Sequence, residues 1–227
     1  LRQKAYKTTQ PIRSSYDLEA LAGFFWNHSL RDWALFHFGI YTGRRISDIV
    51  RLKVNDVAFI DKRGRLKIKD ALIIQEKKTG KFIDLTLNDS ARYALQVYLK
   101  RRRKKAVSLG SLLNEPLFKS RQQHRNGSYH LSETQCWRIL NKAARICNLP
   151  YKIGTHSMRK TFGYHLYIGN TKIEVIQKLL NHSSPAITLE YIGIGQDDMN
   201  EAIRNLPPIG QMTKNRKSQN WEHLAWN

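Results

Sequence analysis

His156, Arg159, His182 and Tyr191 stand within one stretch, THSMRKTFGYHLYIGNTKIEVIQKLLNHSSPAITLEY, that spans residues 155–191. Together they suit phosphate chemistry without a metal. Arginine neutralises phosphate oxygens and forks onto them. Histidine moves protons near neutral pH. Tyrosine becomes a covalent nucleophile when a base and nearby cations help it lose its proton. Arg159 follows His156 by three residues, which on a helix puts both on one face and within reach of one phosphate. Ser184-Pro185 reads as an N-cap followed by the first position of a new helix, and Tyr191 lies about two turns along it.

The types are specific only jointly, and their joint spacing carries a resemblance. His156-Ser-Met-Arg159-Lys-Thr-Phe resembles the H-x-L-R-H-T-F box of the tyrosine recombinases, or phage integrases. Leu180-Asn-His182-Ser-Ser-Pro-Ala-Ile-Thr-Leu-Glu-Tyr191 resembles their L-G-H-S-S-…-Y box. Thr42-Gly-Arg-Arg45-Ile-Ser-Asp48 resembles their T-G-x-R-x-S-E box, which places the catalytic arginine at Arg45. Taken without the other boxes, Arg44-Arg45 reads as a solvated pair. Asp48 stands where the family has Glu; at three residues from Arg45 it is expected to reach and hold the guanidinium. Lys78-Thr-Gly-Lys81 resembles the hairpin tip that carries the family's catalytic lysine, with Lys78 the aligned residue and Lys77 and Lys81 as competitors. Lys160 replaces the second His of the family's box, and Asn181 replaces the Gly before His182.

The resemblance covers residues 10–205 or so and implies a catalytic domain, mainly α-helical, with a small sheet on one edge. It implies that Tyr191 attacks a DNA phosphodiester and forms a 3′-phosphotyrosine. Arg45 and Arg159 then grip the non-bridging oxygens, Lys78 protonates the leaving 5′-oxygen, His156 takes the tyrosine proton and His182 donates to the phosphate. No cofactor is implied, neither metal nor nucleotide. The implied partner is double-stranded DNA at paired recombination sites, held by a homo-tetramer, and the wording of the motifs is nearer to mobile-element integrases than to chromosome-dimer resolvases. The same chemistry leaves two rivals: a recombinase-like module that holds DNA without cutting it, and a type IB topoisomerase.

The elements that must position these residues follow from the pattern. Ser14-Ser-Tyr-Asp17 starts a helix through Leu18, Leu21 and Phe25; Leu30–Tyr41 is apolar on most sides and belongs inside. Residues 57–86 alternate apolar and polar around turns at Asp61–Gly64 and Lys77–Lys81, which predicts three antiparallel strands. The fold class is therefore α+β, mainly α-helical. Asn88 caps a helix that ends in Lys100-Arg-Arg-Arg-Lys-Lys105, and Arg101, Arg102 and Arg103, with Lys77, Lys81 and Lys160, are the candidate DNA contacts. Residues 106–131 read as loop, anchored by Pro116-Leu-Phe118, and Ser132-Glu-Thr-Gln135 as a capping box. The expected organisation is a basic arm over 1–13, the catalytic domain over 14–206 and a tail over 207–227.

Composition agrees. In 227 residues, 39 Lys+Arg face 18 Asp+Glu, a formal net charge of +21, and this calls for a polyanionic partner. Five Trp, ten Tyr and eight Phe argue for a packed core and not a basic disordered chain. Cys136 and Cys147 lie about 16 Å apart along one expected helix, too far for a disulfide, as suits thiols in a reducing cytoplasm. No apolar run approaches the ~18 residues of a membrane span, so the expected compartment is the cytoplasm of a bacterium, or of the host for a phage protein. The first residue is Leu and not Met, which suggests a fragment lacking an N-terminal core-binding domain. His28, His37, His124, His130, His165 and His223 have no matching partners and read as ordinary.

Overall fold

A computed structural model describes residues 9–123, 127 and 129–206. The chain forms two compact units, Leu1–Gly193 and Ile194–Asn227.

The first half of the first unit is built on the helices α1 (Ser15–His28), α2 (Leu30–Thr42) and α5 (Asp89–Arg103), with two short helices, α3 (Ile46–Ile49) and α4 (Val54–Val57), between α2 and α5. The starts of α1, α2 and α5 are each capped by a hydroxyl or amide. Ser14 accepts from the Asp17 amide, Ser29 from Asp32 and Asn88 from Ala91, satisfying donors that a helix start leaves open. Helix α2 buries Trp33, Leu35, Phe36 and Phe38, as its all-round apolar sequence requires. Tyr98 of α5 stacks on Phe118, which in turn packs against Phe38. The long helices thus share one core. Around it follow α6 (Leu109–Asn114), α7 (Glu133–Ile146), α8 (Thr155–Ile168), α9 (Ile173–Leu179) and α10 (Pro185–Ile192). Cys136 is buried in α7 and Cys147 follows that helix; both are free thiols.

Three expectations change. The strands number four and form two separate hairpins, not one three-stranded sheet: β1 (Ala58–Ile60) pairs with β2 (Leu66–Ile68), and β3 (Ala71–Gln75) with β4 (Phe82–Thr86). The break falls at Lys69-Asp70, whose backbone bonds run to Val57 and Leu87 and not across a continuing ladder. Within 106–131, Ser108 and Ser111 form a reciprocal capping box that starts α6, with Leu112 as its buried anchor. Of the expected arm, residues 1–8 lie outside the described residues, but 9–13 are packed: Ile12 is fully buried, its amide donates to Thr161 Oγ1 at 2.8 Å, and Arg13 donates to the Gly193 carbonyl.

In the second unit, α11 (Gln196–Arg204) starts where Asp198 accepts from the Gly195 amide at 2.9 Å. The expected tail, 207–227, lies outside the described residues. Among the described residues, no helix is long and apolar enough to cross a membrane.

Candidate active site

The site forms where α2 ends. Gly43 closes that helix in the left-handed region, φ 59°, which favours glycine; a Cβ here would sit 2.3 Å from the Phe162 ring. Its carbonyl accepts from Arg159 Nη1 at 2.7 Å, and Arg159 Nη2 donates to the Leu180 carbonyl. Arg159, 2 % exposed on α8, thereby ties the end of α2 to the end of α9. Two open carbonyls are satisfied by one planar fork, a task lysine could not perform.

Arg45 caps α3, half-buried, and its Nη1 donates to Glu76 Oε1 at 2.5 Å. This corrects the expected role of Asp48. Its Oδ1 accepts from the Lys77 amide at 2.9 Å, and its Oδ2 has no hydrogen-bond partner among the described residues; the shorter arm fastens the base of the β3–β4 turn instead of the guanidinium. The holder of Arg45 is Glu76, which sequence reasoning passed over. A signal for it existed: Leu72, Ile74 and Glu76 alternate on the inward face of β3 and its extension, and all three are buried. A carboxylate at an inward position needs a cation. Nor is Arg44 solvated. It is 1 % exposed, donates to the Thr42 and Leu179 carbonyls, and lies 4.0 Å from Glu76.

Tyr191 is delivered by α10. Asn181 adopts φ 48°, a region that asparagine tolerates better than most side chains, so it can stand where the family has Gly. Ser184 then caps α10, with Pro185 in its first turn. Close approach of α10 to α8 is allowed by Gly163, where a Cβ would meet Ile192 at 2.6 Å. The result places Tyr191 Oη 3.4 Å from His156 Nδ1, and the His182 ring edge-on to the tyrosine with centroids 4.8 Å apart. Lys160 Nζ lies 5.3 Å from the centre of the Tyr191 ring. Burial raises the Tyr191 pKa, and the charges of Arg159 and Arg45 oppose that rise. His156 is lowered by desolvation first and then by Arg159, Lys160 and Arg45, so it is neutral and able to accept a proton. His182 is pushed down to about 4, by burial and then by the same two arginines. Its Nδ1 meets Thr188 Oγ1 at 3.2 Å, and the Thr188 hydroxyl donates to the Ser184 carbonyl at 3.0 Å. The threonine proton being used, His182 Nδ1 is the donor, and its Nε2 carries the lone pair in the neutral ring.

The lysines stand apart from this cluster. Lys78 is exposed on the turn between β3 and β4, and its side chain makes no ion pair among the described residues. Lys77 is also exposed and faces Glu133 at 3.7 Å; Lys81 immediately precedes β4, its amide donating to Thr79 Oγ1 at 3.3 Å. Arg101 and Arg103 are exposed, but Arg102 is not a free DNA contact. It donates to the Pro116 and Leu117 carbonyls at 2.7 and 2.8 Å and to Glu115 at 2.6 Å, holding the loop after α6. Of the histidines read as ordinary, His28, His37, His130 and His165 each contact a backbone carbonyl. His124 and His223 lie outside the described residues. Among the described residues no three His, Cys, Asp or Glu side chains are grouped to hold a metal.

Residues 15–196 match the phage integrase family. A probable integrase/recombinase of Bacillus subtilis, YoeC, is 38 % identical over 195 residues, which are 86 % of this chain and 95 % of that protein. The tyrosine recombinase XerD of Corynebacterium glutamicum is 32 % identical over 79 % of this chain but only 53 % of its own length, so the chain spans about half of the Xer recombinases it matches. Among solved structures, XerA recombinase superposes with a TM-score of 0.64 at 20 % identity, over 88 % of this chain and 67 % of that one. XerH bound to a palindromic difH substrate after cleavage superposes at 0.59 and 19 %, over 83 % and 50 %. These likenesses show the fold, α+β and mainly helical, and with the sequence matches they show that the chain belongs to the phage integrase family of tyrosine recombinases.

Proposed function

We propose that this chain cleaves and rejoins DNA strands at specific sites through a covalent 3′-phosphotyrosine, integrating or excising a mobile element. The observation that carries this reading is the contact of Tyr191 Oη with His156 Nδ1 at 3.4 Å, beside two arginines whose charge favours the phenolate. A nucleophile and its base within reach, with cations where charge develops, are the parts this chemistry needs. His156 takes the phenolic proton as Tyr191 Oη bonds to phosphorus. The P–O5′ bond breaks, and Lys78 gives its proton to the departing 5′-oxygen. Arg45 and Arg159 hold the non-bridging oxygens through the step. Return attack by a 5′-hydroxyl of another strand reverses these transfers, so the backbone energy is conserved without metal or nucleotide. His182 Nε2 becomes a donor to the phosphate only on taking a second proton, which an arriving anion promotes.

The partners under this reading are double-stranded DNA at paired sites and three further copies of the chain, in the cytoplasm of the cell that carries the element. Similarity along nearly its whole length to a probable integrase/recombinase supports the strand-exchange chemistry, and the choice of integration over dimer resolution rests on the wording of the motifs.

The experiment is a covalent trap. The protein is incubated with nicked DNA from its source, so that the cleaved fragment diffuses away, and then run on a denaturing gel in the presence of a chelator. The expected result is a shifted protein–DNA band that disappears in Tyr191→Phe while DNA binding persists. Binding with no adduct would sink the reading in favour of a DNA-holding module. Relaxation of supercoils lacking any paired site would mark a topoisomerase.

A further inference from the structure

Beneath the proposed phosphate grip lies a charge cluster centred on Glu76, a residue outside the motif boxes. Glu76, 1 % exposed, is bonded on both oxygens: Oε1 to Arg45 at 2.5 Å, Oε2 to the Thr79 hydroxyl at 2.8 Å and to Asn181 Nδ2 at 2.9 Å. Those three partners belong to three different parts of the site. Arg45 is itself a phosphate ligand in the proposed reaction. Thr79 is the neighbour of Lys78 on the turn, and Asn181 is the neighbour of His182. Arg44 supplies a second cation 4.0 Å from Glu76 Oε1, and its Nη1 has no hydrogen-bond partner among the described residues. Charge bookkeeping fits the purpose. Three guanidinium groups (Arg44, Arg45, Arg159) face two buried carboxylates (Glu76, Asp48), and with Lys160 beside Tyr191 the cluster stays net positive, as an anionic phosphodiester requires. Burial tends to raise the Glu76 pKa, but the bonds from Thr79 and Asn181 and the charges of Arg45 and Arg159 outweigh it, so the group is held ionised.

We propose that Glu76 is a positioning residue for strand cleavage: it fixes the Arg45 guanidinium, and through Thr79 and Asn181 it sets Lys78 and His182 in register with it. Without that anchor Arg45 is a free rotor at the mouth of the site, and the turn loses its only side-chain tie to the α9–α10 connection among the described residues. A misplacement of about 1 Å at such a point costs on the order of 10²-fold in rate. The inference rests on the cleavage reading given above.

The test compares the full chain with Glu76→Gln and Glu76→Ala in single-turnover cleavage of the nicked DNA at saturating protein, alongside wild type and Tyr191→Phe. Melting temperature and DNA affinity are measured on the same samples. Glu76→Ala is expected to slow adduct formation about 10²-fold, and Glu76→Gln, which keeps the shape and one acceptor, about 10-fold. Kd should stay within about threefold of wild type, since one phosphate contact among many is misaligned and not lost. The pH profile is the readout that a merely structural part would leave in place. Removing one negative charge beside Arg45 and Arg159 favours the phenolate and disfavours imidazolium, so the ascending limb for Glu76→Gln moves to lower pH. Cleavage by Glu76→Ala within about twofold of wild type, loss of rate that merely tracks Kd or an unfolded Glu76→Gln, or an unmoved limb in Glu76→Gln would each overturn the proposal. If wild type itself forms no adduct, the cleavage reading fails, and that outcome is distinct.

Discussion

Arg159 and Lys78 are cations assigned to the same phosphate, yet the fold treats them oppositely. Arg159 is 2 % exposed, and each of its two terminal nitrogens gives one N–H to a carbonyl, of Gly43 and of Leu180, which leaves the second N–H of each for a phosphate. Lys78 stands in water on a turn. The difference teaches which half of the site is built before DNA arrives. An arginine that also closes two helix ends cannot leave without loosening α2, α8 and α9, so under the proposed reaction its grip is preorganised, as electrostatic stabilisation of a transition state requires. A lysine on an exposed turn is placed only when DNA brings its phosphate to it. Under the proposed reaction, that would keep the acid away from the tyrosine until a leaving group exists.

The comparison breaks first at Arg159. Arg159→Ala is expected to lose about 10³-fold or more in adduct formation and to destabilise the DNA-free protein by about 3 kcal/mol, because two buried carbonyls lose their donors. Denaturant melts and the trap assay read the two losses separately. Cleavage within about tenfold of wild type would show that the buried fork is architecture alone.

Lys78→Ala is the opposite case. A loss of about 10²-fold in cleavage is expected with an unchanged melting temperature, because no packing is removed. Replacing the 5′-bridging oxygen by sulfur, whose thiolate leaves without a proton, should restore most of the rate. Lys77→Ala and Lys81→Ala should remain within about threefold. If either of these is rescued by sulfur and Lys78→Ala is not, the acid is the other lysine.

How far the sequence carried the site depends on whether a contact is local. His156 with Arg159, and Ser184-Pro185 with Tyr191, are set by helical spacing, and the structure brings His156, Arg159, His182, Tyr191 and Arg45 to the end of α2 as the motifs imply. The contacts that cross the chain were not legible. Glu76 finds Arg45 from 31 residues away, and Asp48 turns to an amide 29 residues away; no period encodes which distant group closes a pair. Arg44 and Arg45 look alike in a basic chain, and only the fold separates the buried one from the half-buried one. The hairpins show the same limit. Alternation marked the region as strands but predicted three where four form, and whether β2 and β3 share a sheet depends on a bend at Asp70 that has no signature of its own.

A subtler contrast lies between the two faces of His182. Its folded pKa is about 4, against about 6.5 in an unfolded chain, so the unfolded state binds the extra proton. Stability from this group is complete above about pH 6.5 and is lost as pH falls toward 4, by about 1 kcal/mol once solvent screening of the half-buried ring is allowed for. His182→Gln should flatten the difference in melting temperature over that window. The depressed carboxyls Glu76 and Glu115 add their own losses lower down. A wild-type curve that matches His182→Gln between about pH 6.5 and 4 would mean that the imidazole is hydrated, and that the proposed second proton is not controlled by the site.

The smallest effects separate neighbours on one basic run. Arg101, Arg102 and Arg103 look equivalent in sequence, but α5 turns Arg102 inward onto three acceptors while its neighbours face solvent. Arg102→Ala should cost roughly 1–3 kcal/mol in stability, mostly because the Pro116 and Leu117 carbonyls lose their donor, and should leave the salt dependence of DNA binding alone. Arg101→Ala and Arg103→Ala should do the reverse, keeping stability within about 0.5 kcal/mol and each reducing the slope of log K against log salt by about 1 if it meets a phosphate. Arg103 also lines a groove with Lys67, Arg92 and Lys100, so its loss should show in the slope more than that of Arg101. Unchanged slopes for both would move the DNA footprint off α5 altogether, leaving the run at its end as the charge complement of a helix terminus.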